Sequence, residues 1–288
     1  MAQTMTGTIG QLLTWATGEL SDSESARLDA ELLLSYALRK DRSYLFTWPE
    51  RIPSQEQTVQ FSALIKKRQV GEPVAYLMGE QGFWTLNLSV TPATLIPRPE
   101  TELLVELALA KAQLTNADAK PLTVLDLGTG SGAIALALAA EQPSWQITAT
   151  DYSQAALAVA SQNALRNGLK NVTFLHSDWF TNIQVPQKFD LIVSNPPYID
   201  EHDEHLSQGD VRFEPSSALV AANCGRSDIE NIARNATEFL KPNGRLLFEH
   251  GYNQGPWAVA LLNELGYSNV QCNQDFGGRD RVTQGQWQ

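Results

Sequence analysis

Asp126-Leu127-Gly128-Thr129-Gly130-Ser131-Gly132 closes a short apolar run over residues 122–127 and leads straight into a strongly helical one over 133–140. A strand that ends in clustered glycines and turns directly into a helix is the first half of a strand–helix–strand unit. The glycines let the backbone turn tightly and admit a ligand where a Cβ would stand in the way. Their spacing is G-x-G-x-G, not the G-x-G-x-x-G that seats a pyrophosphate on a helix N-terminus. A tight loop with no ligand would use the same glycines, so the loop alone does not decide the chemistry.

Outward from that loop, the alternation repeats. Short strands are expected over 147–150, 172–176 and 191–194, separated by helical segments such as 154–166. Strands alternating with helices predict a mostly parallel sheet covered on both faces, an α/β doubly wound fold. The chain end differs: 244–250 and two late strands over 269–272 and 279–286 predict an antiparallel, hairpin-like edge. Before the sheet, residues 83–90 alternate in the period-2 manner of a half-buried strand, and Pro97-Arg98-Pro99-Glu100-Thr101-Glu102 is built to open a helix. The joint between domains falls here, with a β-hairpin linker over 79–98.

Residues 1–78 read as short amphipathic helices. The segment 1–20 is mixed and helical. Leu28, Leu32, Leu33 and Tyr36 recur at helical spacing behind a capping region at 21–25, and a later helix, capped by Ser54, carries a stripe of Phe61, Leu64 and Ile65. These stripes predict a small all-helical core. The division expected is a helical domain over 1–78, the linker over 79–98 and an α/β domain over 99–288.

Bulk properties exclude several classes. With 43% hydrophobic and 18% charged residues, the chain has the balance of a folded globular protein. It shows no secretory leader pattern and no apolar run near the roughly 18 residues needed to cross a bilayer, which predicts a cytoplasmic protein. Cys224 and Cys272 lack metal-site spacing, and His202 and His205, three apart in an acidic segment, do not make one, so no metal is expected. Net charge is −11, and residues 1–78 carry eight Lys or Arg against nine Asp or Glu, so nearly all the acidic excess follows residue 78. A protein that grips nucleic acid usually presents a basic stripe to the phosphates. None is evident where the chemistry would sit.

Three further positions carry chemistry. Asp151 directly follows the second strand, where a carboxylate can accept hydrogen bonds from both hydroxyls of a ribose; the alternative is a helix cap near residue 154. In Ser177-Asp178-Trp179, after the third strand, Asp178 suits an adenine amino group and Trp179 its face, although Trp179 would serve equally as ordinary core. Asn195-Pro196-Pro197-Tyr198 follows the fourth strand and is the most informative of the three. Two consecutive prolines remove two backbone donors and fix φ, making a rigid loop. The Asn195 side-chain carbonyl and the Pro196 backbone carbonyl could accept both hydrogens of a planar NH₂ group, with Tyr198 as an aromatic wall. An amide nitrogen is a feeble nucleophile, and fixed acceptors aimed at it act mainly in the transition state.

Together, 126–132, Asp151 and 195–198 resemble the class I methyltransferases that modify planar nitrogens. The stretch 68–79 with Gly71-Glu72-Pro73, then Leu95-Ile96-Pro97-Arg98-Pro99-Glu100-Thr101-Glu102, Phe213-Glu214-Pro215 and Phe276-Gly277-Gly278-Arg279-Asp280-Arg281, is similar to the peptide chain release factor N5-glutamine methyltransferases. The resemblance covers nearly the whole chain. Two departures stand out: 221–225 reads Ala-Ala-Asn-Cys-Gly where a Gly-Gly-x-Asp-Gly loop is common, and Gly82 stands where an acidic residue is common. The resemblance implies a seven-stranded methyltransferase sheet with a helical N-terminal domain for substrate recognition. It also implies S-adenosyl-L-methionine bound by Gly128, Thr129, Gly130, Ser131, Gly132, Asp151, Trp179 and Asn195. The substrate glutamine of a Gly-Gly-Gln loop would be held by Asn195, Pro196, Pro197 and Tyr198, with Asn195, Pro196 and Tyr198 as the catalytic set. The implied partners are class I release factors, met by a monomer without nucleic acid or membrane. The rival is an adenine or guanine exocyclic-amine methyltransferase acting on an extruded base of DNA or RNA. A non-enzymatic nucleoside-binding module would leave 195–198 unexplained.

Overall fold

The computed structural model describes residues 6–115, 121–184 and 186–288. The first five residues of the helical stretch expected over 1–20 lie outside the described residues, as do 116–120 and 185 of the α/β region. The chain divides into two compact units, residues 1–80 with 207–213 and residues 81–206 with 214–288.

The first unit holds α1 (Ile9–Glu19), α2 (Ala26–Leu38), α3 (Arg42–Thr47), α4 (Gln55–Gln69) and α5 (Val74–Met78). Ser54 caps α4 as expected, in a reciprocal capping box with Gln57, and Phe61 and Ile65 are buried. The stripe on α2 is displaced from the expected one: Leu28 and Tyr36 face solvent, and Ala30, Leu33, Leu34 and Ala37 form the buried face. Ser25 precedes the helix but gives its hydroxyl to Asp29 (2.8 Å) and not to the backbone. Buried Asp29 is compensated by Arg68, whose Nε donates to it at 2.8 Å while Nη1 reaches Asp210 at 2.5 Å. That guanidinium ties residues 207–213 to a unit otherwise built from the first 80 residues.

A hairpin of β1 (Glu80–Phe83) and β2 (Leu86–Ser89) leads into the second unit. The single strand expected over 83–90 is thus broken: the chain turns at Trp84-Thr85, with Trp84 at φ +55°. A 3₁₀ turn at Pro99–Thr101 then opens α6 (Glu102–Thr115). The sheet follows as β3 (Thr123–Leu127), α7 (Ala133–Glu141), β4 (Gln146–Asp151), α8 (Gln154–Arg166), β5 (Val172–His176) and β6 (Phe189–Ser194). Next come the short pair β7 (Ile199–Asp200) and β8 (Val220–Ala221), then α9 (Ala222–Gly225) and α10 (Ser227–Phe239). The chain closes through β9 (Leu240–Glu249), α11 (Gly255–Glu264), β10 (Ser268–Gln274) and β11 (Asp280–Gln286). Seven strands pair in the order β10-β11-β9-β6-β3-β4-β5. β9, β6, β3, β4 and β5 are parallel, and β11 is antiparallel to both neighbours. The antiparallel edge is the one expected from the sequence.

Successive residues of the central strands point to opposite faces. Val124 and Val193 join Leu136 and Leu138 in one core, while Leu125, Leu127 and Ile192 join Ile232 and Leu262 in the other. Such strands read as unbroken apolar runs because both faces are covered. The order reverses at β3, whose neighbours are β4 on one side and β6 on the other, so a crevice opens at the carboxyl ends of β3 and β6.

Candidate active site

Pairing register brings the motifs to one level. Leu127 lies opposite Thr150 on β4 and Ser194 on β6, so Gly128, Asp151 and Asn195 stand one step further on at a common level of three adjacent strands, Asp151 as the last residue of β4. They border a cavity of about 420 Å³, within the roughly 300–1,000 Å³ of small-molecule sites. Gly128, Thr129, Gly130, Ser131, Asp151, Trp179, Asn195 and Pro197 line it; Gly132, Pro196 and Tyr198 do not.

The glycine loop is held by neighbours on every side. Gly128 and Thr129 donate their N–H groups to the Thr150 carbonyl at 2.9 and 2.8 Å. Gly132 begins α7, and a Cβ there would fall 2.9 Å from Leu136 Cδ1 and 3.3 Å from Ala160 Cβ, so this glycine lets α8 approach. Gly132 has no side chain to cap the helix. Buried Asp126 substitutes for it, accepting from Ala135 N at 3.2 Å and from Thr129 Oγ1 at 2.7 Å. Burial pushes the Asp126 carboxyl up to about 7 against those two hydrogen bonds.

Asp151 accepts from Gly130 N and Ser153 N, both at 2.8 Å. Burial raises its pKa, while the two backbone hydrogen bonds and His176 pull the other way. Ser153, not Asp151, caps α8. Asp151 therefore organises the glycine loop and presents its remaining lone pairs to the cavity. Trp179 sits at φ +45°, a conformation that non-glycine residues adopt rarely. Asp228, a wall residue on α10, shares the cavity with it, and burial raises the Asp228 carboxyl against the pull of the indole. Asp178 lies alongside.

Asn195 donates through Nδ2 to Thr101 Oγ1 at 3.2 Å, and its Oδ1 has no hydrogen-bond partner among the described residues. Tyr198, expected as an aromatic wall, does not line the cavity; it packs against the core, and its hydroxyl donates to Glu249 at 3.1 Å. Burial, with the neighbouring Glu249 charge, raises the phenol well above its ordinary range. Gln254 Nε2 donates to the carbonyls of Tyr198 (3.1 Å) and Gly225 (3.2 Å). A Cβ on Gly225, at φ +74°, would overlap the Tyr198 carbonyl. The Ala221–Gly225 loop thus braces the Asn-Pro-Pro-Tyr turn, with Asn223 and Cys224 also at positive φ.

Sequence reasoning missed several of these groups. Glu214 is buried, accepts from Ile96 N at 2.9 Å and pairs with Arg98, which fastens the 94–98 wall to the Pro215–Ala218 wall. Thr101, Asp228 and Glu249 were also unassigned. Glu249 ends an apolar strand as Asp151 does, and that was the available signal.

Residues 11–79 match a family model described as PrmC N-terminal domain, and residues 118–279 match one described as methyltransferase domain. The release factor glutamine methyltransferase of Shewanella oneidensis is 54% identical over 280 residues, covering 97% of this chain and 96% of that one. That of Vibrio cholerae is 51% identical over 285 residues, 98% of each. Among solved structures, a T. thermophilus 16S rRNA N2 G1207 methyltransferase in complex with AdoMet and guanosine gives a TM-score of 0.53 at 20% identity. It covers 73% of this chain and 50% of that one, a likeness of fold alone. With identity near one half along almost the entire length, this chain belongs to the release factor glutamine methyltransferase family.

Proposed function

We propose that the protein transfers a methyl group from S-adenosyl-L-methionine to the side-chain amide nitrogen of the glutamine in the Gly-Gly-Gln motif of class I release factors. The observation that carries this reading is the shared cavity. Asn195, at the end of β6, opens onto the same space as the Gly128–Ser131 loop on β3 and Asp151 on β4. Family membership supplies the substrate class.

The residues present suit the methyl donor. Asp151 is a carboxylate with acceptor capacity left for a ribose diol, and the Trp179 ring and Asp178 suit an adenine. When bound, S-adenosylmethionine supplies an electrophilic methyl group. Gly128, Thr129, Gly130, Ser131, Asp151, Trp179 and Asn195 would hold it, with Gly132 shaping the loop from behind. Asn195 Oδ1 and the Pro196 carbonyl accept the two amide hydrogens of the glutamine, and Pro197 and Tyr198 complete the turn that fixes them. Held this way, the nitrogen lone pair faces the methyl group, and orientation supplies much of the rate. The methylated nitrogen then releases its extra proton to solvent, so no strong general base is needed.

The enzyme is assigned as a monomer. The helical domain over 1–78 is assigned to holding the release factor, because a lone loop is too small for the roughly 1,200–2,000 Å² of a stable protein interface. The acidic excess after residue 78 favours a basic protein surface over nucleic acid. No helix among the described residues is long and apolar enough to cross a membrane. The cytoplasm, where translation ends, is the assigned compartment.

The test is to supply the enzyme with labelled methyl donor and a cell extract lacking it. Label on a release factor supports the reading. Label confined to nucleic acid would replace it with the base-methylating alternative.

A further inference from the structure

The two polar residues of the Asn-Pro-Pro-Tyr turn, Asn195 and Tyr198, converge on one buried carboxylate. Glu249, at the end of β9, is buried, and it takes a hydrogen bond on each oxygen. Thr101 Oγ1 donates to Oε2 at 2.7 Å, and the Tyr198 hydroxyl donates to Oε1 at 3.1 Å. Thr101 Oγ1 in turn accepts from Asn195 Nδ2 at 3.2 Å. Burial raises the Glu249 carboxyl above its ordinary range, and the hydrogen bonds from Thr101 and Tyr198, with the charge of Arg281 (paired to Asp275 at 3.3 Å), pull the other way.

A hydroxyl has a single hydrogen. Because Thr101 gives its hydrogen to Glu249, its oxygen is left to face Asn195 as an acceptor. Asn195 with its amide reversed would set Oδ1 against that acceptor, two oxygens facing each other with no hydrogen between them. The amide is therefore locked with Nδ2 toward Thr101 and Oδ1 free to accept from a ligand. A substrate amide presents two hydrogens and needs an oxygen there; a reversed Asn195 would offer it an NH₂.

We infer that Thr101 and Glu249 are positioning residues: Glu249 orients the Thr101 hydroxyl, Thr101 orients the Asn195 amide, and the same carboxylate fixes Tyr198. The inference rests on the glutamine reading for its catalytic consequence, but not for the orientation itself. Neither residue touches the reacting nitrogen. Thr101 reaches the site from the turn that opens α6 and Glu249 from β9, so the relay joins two elements that pairing register does not align.

The experiment compares wild type with Thr101→Val, Thr101→Ser, Glu249→Gln and Thr101→Val combined with Glu249→Gln. Two readouts are taken: methylation kinetics on a Gly-Gly-Gln peptide, normalised to sites that bind S-adenosylmethionine by calorimetry, and hydrogen exchange of the Asn195 side-chain NH₂ by NMR. Val keeps the shape of Thr and removes the hydroxyl. Loss of one net hydrogen bond corresponds to roughly tenfold, so kcat per binding site should fall about tenfold in Thr101→Val. Cofactor affinity should fall by less than about threefold, because Thr101→Val loosens Asn195 alone among the seven residues assigned to hold the cofactor. Ser should restore kcat to within about threefold of wild type, since it keeps the oxygen. Asn195 NH₂ exchange should be slow in wild type and Thr101→Ser and fast in Thr101→Val. The double variant should be no worse than the poorer single one, the mark of a shared path.

A purely structural role for Thr101 would lower the number of cofactor-binding sites and leave kcat per site intact, and that result overturns the inference. Equal Asn195 exchange in wild type and Thr101→Val overturns it as well, whichever substrate proves right. Strictly additive losses in the double variant would do the same. Failure of the wild-type enzyme to methylate the peptide or a release factor would instead overturn the substrate reading, with the exchange measurement still deciding the relay.

Discussion

Two aspartates one strand apart carry separate burdens, and each gives a measurable consequence. Asp151 holds Gly130 and faces the cavity, so Asp151→Ala should weaken S-adenosylmethionine binding by about 1.5–3 kcal/mol, the scale of hydrogen bonds to a charged acceptor. Calorimetry showing wild-type affinity would remove it from the cofactor site. Asp126 is buried behind the loop, with its carboxyl pushed up to about 7. An unfolded chain releases that proton near 4. The native state therefore binds more protons across that window, and its stability falls as pH rises from about 4 through about 7. Asp126→Asn cannot ionise, so the drop in Tm between about pH 5.5 and about pH 8 should shrink in the variant. An unchanged drop would mean that Asp126 does not titrate in the fold. Both aspartates were visible in the sequence, but only Asp151 was assigned a role. Nothing in the order of residues says that Asp126 looks back to cap α7 while Asp151 looks out to the cavity.

Among the elements, those built from local signals were legible and those made by distant contacts were not. The strand at 172–176 and the helix at 154–166 match β5 and α8, because periodicity and capping are written within a few residues. The antiparallel tail was legible for the same reason. The turn at Trp84-Thr85 was missed because it interrupts an alternating run without a glycine or proline to mark it. The Arg98–Glu214 and Thr101–Glu249 links were missed because each joins residues more than a hundred positions apart. So was the attachment of Asp210 to Arg68. The loop that departs from its family pattern gives the prediction at this scale. Gly225 has positive φ and lies against the Tyr198 carbonyl, so Gly225→Ala should cost at least about 1–3 kcal/mol in denaturant unfolding. It should also lower turnover more than cofactor affinity, since the displaced element is the Asn-Pro-Pro-Tyr turn. Wild-type stability and turnover in that variant would show that the loop does not brace the site.

At the level of the molecule, the fold class could be read from strand–helix alternation. The cavity-lining residues on β3 and β4 could be read from where glycines and acids end the strands. The sheet order then does what the sequence could not: it sets β3 between β4 and β6, which turns three separated motifs into one cavity. Everything at this scale turns on methylation of a glutamine amide in that cavity. The most direct test is site-resolved mass spectrometry of a purified class I release factor incubated with S-adenosylmethionine and either wild-type enzyme or Asn195→Ala. The expected result is one added methyl on the Gly-Gly-Gln glutamine, formed by wild type and slowed on the order of 10²–10³ in the variant, the scale for losing one preorganised contact. An unmodified glutamine with wild type, or an Asn195→Ala enzyme as fast as wild type, would contradict it.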